Sequence, residues 1–372
     1  MWISQLRYQD PRTRTYLGSP SIVRTPDGAL LASHDYFGPG SPRNMEGEEH
    51  LTSLYRSEDA GRTWTNIGHL SGQFWSGLFV HAGRTWVLGT SAQYGHVVIR
   101  CSADSGFTWT CPVDEHSGLL RRGGAYHDPP NYHCAPVPVL RAHGRLWRAF
   151  EDDCRRDHPR DFLACVLSVP EDADLLCAAA WTMTNKLKLD HAALPQYSAD
   201  ACWLEGNMVA DPQGRVWNLL RFNSAQDGLN KAAWVSVSPD GQHAHFAAAT
   251  GIVPFPGGAS KFTVRRDPDA GLYWTLANDM EEAPRRFVRN RLSLFCSADL
   301  RHWSKCRTLL EDNLEMDPAR SAQQTGFQYA DWQFDGDDMV YVVRTAYDGA
   351  HNFHDANRIT FGRIAGFRRL GP

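Results

Sequence analysis

His133 opens an apolar run in N-Y-H-C-A-P-V-P-V, and His96 opens another in Q-Y-G-H-V-V-I beside Tyr94. Imidazole titrates near neutrality, so either ring could move a proton on a sugar. The structural alternative is a strand-edge histidine bonded to a backbone carbonyl. Glu205, Asn207 and Arg221 fall together in W-L-E-G-N-M-V…L-L-R. Arginine grips a carboxylate bidentately, and an amide can share the load; a surface cation at a strand end is the bland reading. Lys261 and Arg265, in G-G-A-S-K-F-T-V-R, carry the same two readings. Arg344 ends the apolar strand of V-V-R-T-A-Y-D, where a charge needs a partner. His34 and Asp35 leave a strand for a Gly/Pro loop, an adjacency that turn chemistry alone would also explain. Gln328 and the group His351, His354, Asp355 and Asn357 read as loop polars. H-x-x-H-D without a cysteine or a third clear ligand is a weak metal pattern, so no metal is expected. No P-loop, strand-linked G-x-G-x-x-G or G-x-S-x-G elbow occurs, which sets aside nucleotide binding and the α/β-hydrolases; no cofactor is expected.

These groups lie far apart in the chain, so repeated elements must gather them. S-E-D-A-G-R-T-W (Ser57 to Trp64) and S-A-D-S-G-F-T-W (Ser102 to Trp109) share S-x-D-x-G-x-T-W, and S-A-D-L-R-H-W (Ser297 to Trp303) is a copy lacking the glycine. In such a turn Asp and Ser bond nearby amides, Gly takes φ > 0 and Trp packs back between sheets. A longer unit, strand–Gly turn–strand, starts at Ser21, Gly77, Ala135, Gly206, Lys261 and Tyr329. Each copy reads as a hairpin followed by further strands, and starts roughly 55 to 70 residues apart suit one propeller blade. The chain is therefore expected to be all-β, a β-propeller of four-stranded antiparallel blades forming one domain over residues 1–372. Six units are counted, with Trp2 to Leu6 and Asn357 to Ile364 pairing to close the ring. Helical periodicity is nearly absent; the best candidate runs over Asp172 to Ala180.

The composition agrees. Of 372 residues, 42% are hydrophobic and 22% charged, enough for a sizeable core, and 13 Trp with 17 Phe suit sheet packing and sugar stacking. A net charge of −4 with scattered Lys and Arg gives no footprint for nucleic acid. No apolar stretch reaches the roughly 20 residues of a membrane helix. MWISQLRYQD has no basic n-region or apolar h-region, so no signal peptide is read; the protein is cytoplasmic if this start is native, periplasmic or secreted if trimmed. Nine Cys include no CxxC pair, and Cys101, Cys134, Cys165, Cys177, Cys202 and Cys296 read as buried free thiols, favouring a reducing compartment.

The S-x-D-x-G-x-T-W turns are the Asp-boxes of sialidase-like propellers, and with S-P-S-I-V-R-T-P-D-G-A-L-L-A-S the chain resembles the sialidase superfamily. Gly18, Ser19 and Pro20 stand where that superfamily opens with Arg-Ile-Pro, so the first arginine of its carboxylate-binding triad is missing, which argues against a true sialidase. Across nearly the whole chain, S-H-D-Y-F-G-P, Y-H-C-A-P-V-P-V, G-R-L-W-R-A-F-E, W-L-E-G-N, F-P-G-G-A-S-K-F-T, G-F-Q-Y-A-D-W, V-R-T-A-Y-D-G and H-D-A-N-R-I-T-F are similar to rhamnosyl-glucuronate-cleaving propellers. That group comprises L-rhamnose-α-1,4-D-glucuronate lyases and related α-L-rhamnosidases, akin to propeller ulvan lyases. The resemblance implies seven blades and β-elimination at glucuronate, with an arginine and amides neutralising the carboxylate and a His or Tyr moving each proton. By position it implies His133 as the catalytic histidine, His96 as its partner and Arg221 as carboxylate binder; Tyr94 and Tyr197 stand in for a tyrosine sought near Glu205. For the rhamnosidases it implies hydrolysis on the opposite face, through a histidine matching His34 with Gln328 nearby. The expected activity is cleavage of terminal α-L-rhamnose-(1,4)-D-glucuronate linkages by elimination, with His34-dependent hydrolysis as the alternative. A non-catalytic glycan-binding propeller and a protein scaffold are the rival classes. The expected partner is an oligo- or polysaccharide containing uronic acid and rhamnose, met by a monomer.

Overall fold

The hairpins of the six sequence units become the inner strands of six antiparallel sheets in a computed structural model that describes residues 2–125, 128–153, 162–224, 229–280 and 288–371. Blade 1 runs outward through Tyr16–Arg24, Leu30–Phe37, Leu51–Ser57 and Thr65–Ser71. Blade 2 follows with Phe74–His81, Arg84–Thr90, Val97–Ser102 and Leu119–Arg121. In blade 3 the inner strand is split into Tyr132–His133 and Leu140–Ala142, both pairing with Arg145–Asp153, and Phe162–Pro170 and Thr182–Met183 lie outside. Blade 4 comprises Cys202–Ala210, Val216–Asn223, Lys231–Val237 and an outer edge split into Ala244–Phe246 and Ile252–Pro254. Blade 5 contains Thr263–Arg266, Tyr273–Asn278, Arg291–Ser297 and Ser304–Glu311. Gly326–Asp335, Asp338–Ala346 and Arg358–Ile364 form blade 6, and Ser4–Tyr8 supplies its outer strand.

Six blades replace the seven implied by the family resemblance. Every described sheet grows from one of the six hairpins, and among the described residues no additional sheet stands between them. The single described α-helix is Pro318–Gln324, N-capped by Asp317, whereas residues 172–180 yield only the 3-10 turn Ala178–Ala180. Proline at the first turn after an Asp cap pre-organises the former.

Alternating strands put apolar side chains between sheets, so the core is a ring of inter-blade layers. Val23, Leu31 and Leu54 of blade 1 meet Leu78 and Val87 of blade 2, while Leu17 and Ile22 meet Val340, Val342 and Phe361 across the closing seam. The Asp-boxes sit outside this ring. Ser57 Oγ donates to Asp59, Gly61 N donates to Ser57 Oγ, and Thr63 N donates to Asp59. Ser102, Asp104, Gly106 and Thr108 repeat the pattern. The degenerate copy survives without glycine because Leu300 itself adopts φ 66° and donates its amide to Ser297 Oγ. A further box in blade 4, Ser238-Pro-Asp240-Gly241, lacks the tryptophan that would have revealed it in the sequence. The first box also secures the ring: Ser4 Oγ donates to Gly61 O at 2.5 Å and accepts from Trp64 Nε1.

Candidate active site

One end of the axis opens into a cavity of about 820 Å³. It is walled by side chains from several blades and falls in the size range of small-ligand sites. Its residues are aimed by backbone irregularity. Ser19, Trp75, Glu205 and Tyr329 all line it, and all have positive φ, of 20°, 45°, 58° and 54°. Each lies where the register of an inner strand slips, between Gly18 and Ser21, Phe74 and Gly77, Leu204 and Asn207, and Gln328 and Asp331. A β-bulge turns a side chain out of strand alternation, and strain of this kind concentrates at functional sites.

At the centre, Tyr329 Oη donates a 2.5 Å hydrogen bond to Glu205 Oε1, and Arg221 Nη1 donates to Glu205 Oε2 at 2.9 Å. Burial pushes the Glu205 carboxyl up, but the Arg221 charge and the Tyr329 hydroxyl outweigh it and bring its pKa down to about 2. Burial and the neighbouring Glu205 charge raise the phenol of Tyr329. In the free protein the shared proton therefore rests on the tyrosine.

Arg289 and Arg344 join Arg221 around the cavity. Arg289 Nη1 donates to Gln328 Oε1, and Arg344 Nη2 donates to the carbonyl of His354 at 2.6 Å. The Arg344 guanidinium lies 4.3 Å from the Phe37 ring and 5.0 Å from that of Tyr329; its Nε is buried without a hydrogen-bond partner. Burial, with the charges of Arg221 and Arg344, lowers the Arg289 pKa to about 9, and burial lowers that of Arg344. A buried guanidinium is stabilised further when an anion lies beside it.

Asp35 faces the same space. Its Oδ1 accepts from Thr52 Oγ1 at 2.5 Å and its Oδ2 from the amide of Trp75 at 3.0 Å. Desolvation outweighs both bonds and raises its pKa to about 8, with the Glu49 charge adding to the rise. It is a carboxylic acid at neutral pH.

His133 contributes a second proton-handling group. Its Nδ1 pairs with Glu151 Oε2 at 2.8 Å, and its ring lies 4.2 Å from that of Trp75 and 6.1 Å from that of Tyr94. A carboxylate on Nδ1 fixes the ring orientation and leaves Nε2 as the exchangeable position.

The structure thus gathers Tyr94, His133, Glu205, Arg221 and Arg344 around one cavity. His96 stands apart: its Nδ1 accepts the Gly123 amide at 2.8 Å and it does not line the cavity. The convergence of two imidazoles expected from the sequence is therefore absent from this wall. His34 points into blade 1 and is fully buried, its ring 4.9 Å from Tyr36 and 5.4 Å from Tyr55; strand alternation sends Asp35, not His34, to the cavity. Asn207 ties blades 4 and 5 by accepting the Val264 amide. Lys261 lies beneath the floor, donating to Thr263 Oγ1 and Ala330 O. Gln328 supports Arg289 from behind and donates to the carbonyls of Phe353 and His354. Tyr197 packs against Phe222 outside the cavity. His351 and His354 both bond Asp355, and no group of His, Cys, Asp and Glu suited to a metal occurs among the described residues. Sequence reading missed Arg289, Glu151 and above all Tyr329. Tyr329 lies one residue from Gln328, but a tyrosine in an apolar strand reads as core unless the bulge is known.

No protein-family model matches the chain, and a search of curated proteins finds no match. Solved structures do resemble it. The Penicillium chrysogenum α-L-arabinanase complexed with arabinobiose is similar at 16% identity and a TM-score of 0.60, over 99% of this chain and 98% of that one. A Trypanosoma rangeli sialidase in complex with sialic acid is similar at 14% identity and a TM-score of 0.61, over 95% of this chain and 55% of the other. The Hadza microbial sialidase is similar at 13% identity and a TM-score of 0.59, over 94% and 66%. The shared property is the sialidase-like propeller fold.

Proposed function

We propose that the protein is a carbohydrate-active enzyme that cleaves a glycosidic bond in an acidic glycan. The observation that carries this reading is the 2.5 Å Tyr329–Glu205 hydrogen bond set among three arginines at one cavity. The fold likeness to proteins described as an arabinanase and as sialidases, with arabinobiose or sialic acid bound, is consistent with a glycan ligand.

The geometry favours hydrolysis. Arg344, whose Nη2 donates to a carbonyl rather than to a carboxylate, receives the substrate carboxylate, with Arg289 beside it on the cavity wall. Ser19 occupies the blade 1 position where sialidases carry arginine, and the guanidinium of Arg344 reaches the same wall from blade 6. Tyr329 Oη attacks the anomeric carbon as Glu205 takes its proton. Asp35 protonates the departing oxygen, so the glycosidic bond breaks as the Tyr329–sugar bond forms. Asp35, now ionised, then takes a proton from water, whose oxygen displaces Tyr329, and the phenol regains its proton from Glu205. Two displacements retain the anomeric configuration, and a tyrosine nucleophile has precedent among glycosidases.

A second reading rests on the His133–Glu151 pair beside Tyr94. There Arg221 and its neighbours acidify the C5 proton of a glucuronate, His133 removes it, and a protonated Tyr94 releases the O4-linked rhamnose. Incubation with a rhamnose-capped glucuronate oligosaccharide and with a sialoside tests both readings. Ultraviolet absorbance of an unsaturated uronate marks elimination; free sugar without it marks hydrolysis.

A further inference from the structure

A buried charged side chain from an adjoining blade grips each of the four bulges that aim groups into the cavity. Asp331 of blade 6 accepts from Ser21 Oγ and the Ile22 amide, just past the Ser19 bulge. Asp35 of blade 1 accepts the Trp75 amide. Glu151 of blade 3 accepts the amide of Gly206, the residue after Glu205, at 3.0 Å. From blade 5, Lys261 Nζ and Thr263 Oγ1 both donate to the carbonyl of Ala330, the residue after Tyr329, at 2.8 and 2.9 Å.

A positive φ in a non-glycine residue persists only where the surroundings over-determine it. Left alone, an inner strand would regain regular alternation, and the two side chains would swing away from one another. Burying an ammonium is costly, and apolar residues would fill an inter-blade layer at lower cost. The retained charges sit where they act on these peptides.

We propose that Lys261 and Glu151 are positioning residues, which fix the peptides after Tyr329 and Glu205 and so hold the phenol against the carboxylate. The proposal rests on the hydrolytic reading of the cavity only for its kinetic consequence; the geometric claim stands by itself. Lys261 does not line the cavity and acts through Ala330 O.

Crystal structures of the wild type, Lys261→Met and Thr263→Val test it. Lys261→Met removes the charged donor at similar volume, and Thr263→Val removes the second donor should the first variant fail to fold. The expected result is that Tyr329 in the variant leaves positive φ and its hydroxyl parts from Glu205. Tyr329 remaining on Glu205 with positive φ in whichever variants fold overturns the proposal. Turnover of a 4-methylumbelliferyl sialoside or glucuronide supplies the second readout. A fall in kcat of about 100-fold with KM little changed is expected from misplacement on this scale; a raised KM with kcat intact overturns it. A wild type inactive on both probes would count against the function read from the cavity, while the crystallographic comparison would still decide the clamp.

Discussion

Tyr329 Oη and Glu205 Oε1 are joined at 2.5 Å although the two residues stand on inner strands of different blades, each at a positive φ. On the proposed hydrolytic reading the phenol is the nucleophile and the carboxylate its base. Tyr329→Phe should therefore abolish glycoside hydrolysis while leaving ligand binding nearly unchanged, whereas His133→Ala should leave hydrolysis within about tenfold, since general acid–base groups contribute 10²–10⁴ where they act. Steady-state rates paired with calorimetric binding check this. The reverse ranking would assign the chemistry to elimination.

Asp35 provides a pH signature. Its folded pKa of about 8 stands far above the usual aspartate value because burial dominates the bonds from Thr52 and Trp75. Between roughly pH 4 and pH 8 the unfolded chain releases a proton that the folded protein keeps, so stability falls as pH rises through that window. Asp35→Asn should flatten this slope, read as the difference in Tm between pH 5 and pH 8. Activity of the wild type should fall above about pH 8 as the general acid ionises, and the variant should lose roughly 10²–10⁴-fold at its best pH.

Arg344 Nη2 donates to a carbonyl rather than to a carboxylate, so on the hydrolytic reading its charge is met by the ligand. Replacing it by Met should weaken binding of a carboxylated sugar by about 10–100-fold, the worth of a hydrogen bond to a charged group. The methyl ester of the same sugar should bind both proteins alike. Isothermal titration with the acid and the ester measures the difference.

Ring closure has its own test in the first Asp-box. Gly61 has φ 90°, and a Cβ there would meet the Phe361 ring at 2.2 Å; Gly28, at φ 93°, has nothing within 4 Å. Gly28→Ala should cost only the backbone strain of about 1–3 kcal/mol. Gly61→Ala should cost more, because Phe361 belongs to the strand that pairs with the N-terminal one. Urea unfolding of both variants gives the comparison.

Much of the fold was legible because its determinants are local. Asp-box turns and strand–turn–strand hairpins are written in consecutive residues, and each of the six hairpins starts a sheet. The count of seven came from the resemblance, not from these residues. The site was legible only in part. Arg221, Glu205, His133, Tyr94 and Arg344 could be singled out as polar groups in apolar strands, and they line the cavity. Tyr329 could not, and Asp35 was visible only as a turn polar beside His34, since which face a strand residue takes depends on a bulge or on register, and neither leaves a mark in residue type. His34 and Asp35 show the consequence: adjacent in sequence, they face opposite sides of one strand, and Asp35 is the one that lines this cavity. His96 does not line the cavity, and its Nδ1 accepts the Gly123 amide.

The most direct measurement is proton NMR of the first product formed from a sialoside and from a rhamnosyl-glucuronate oligosaccharide, run with wild type and Tyr329→Phe. The account predicts that the wild type hydrolyses an acidic glycan with retained anomeric configuration and that the variant does not. An unsaturated uronate formed by both proteins, or cleavage confined to neutral glycans, would contradict it.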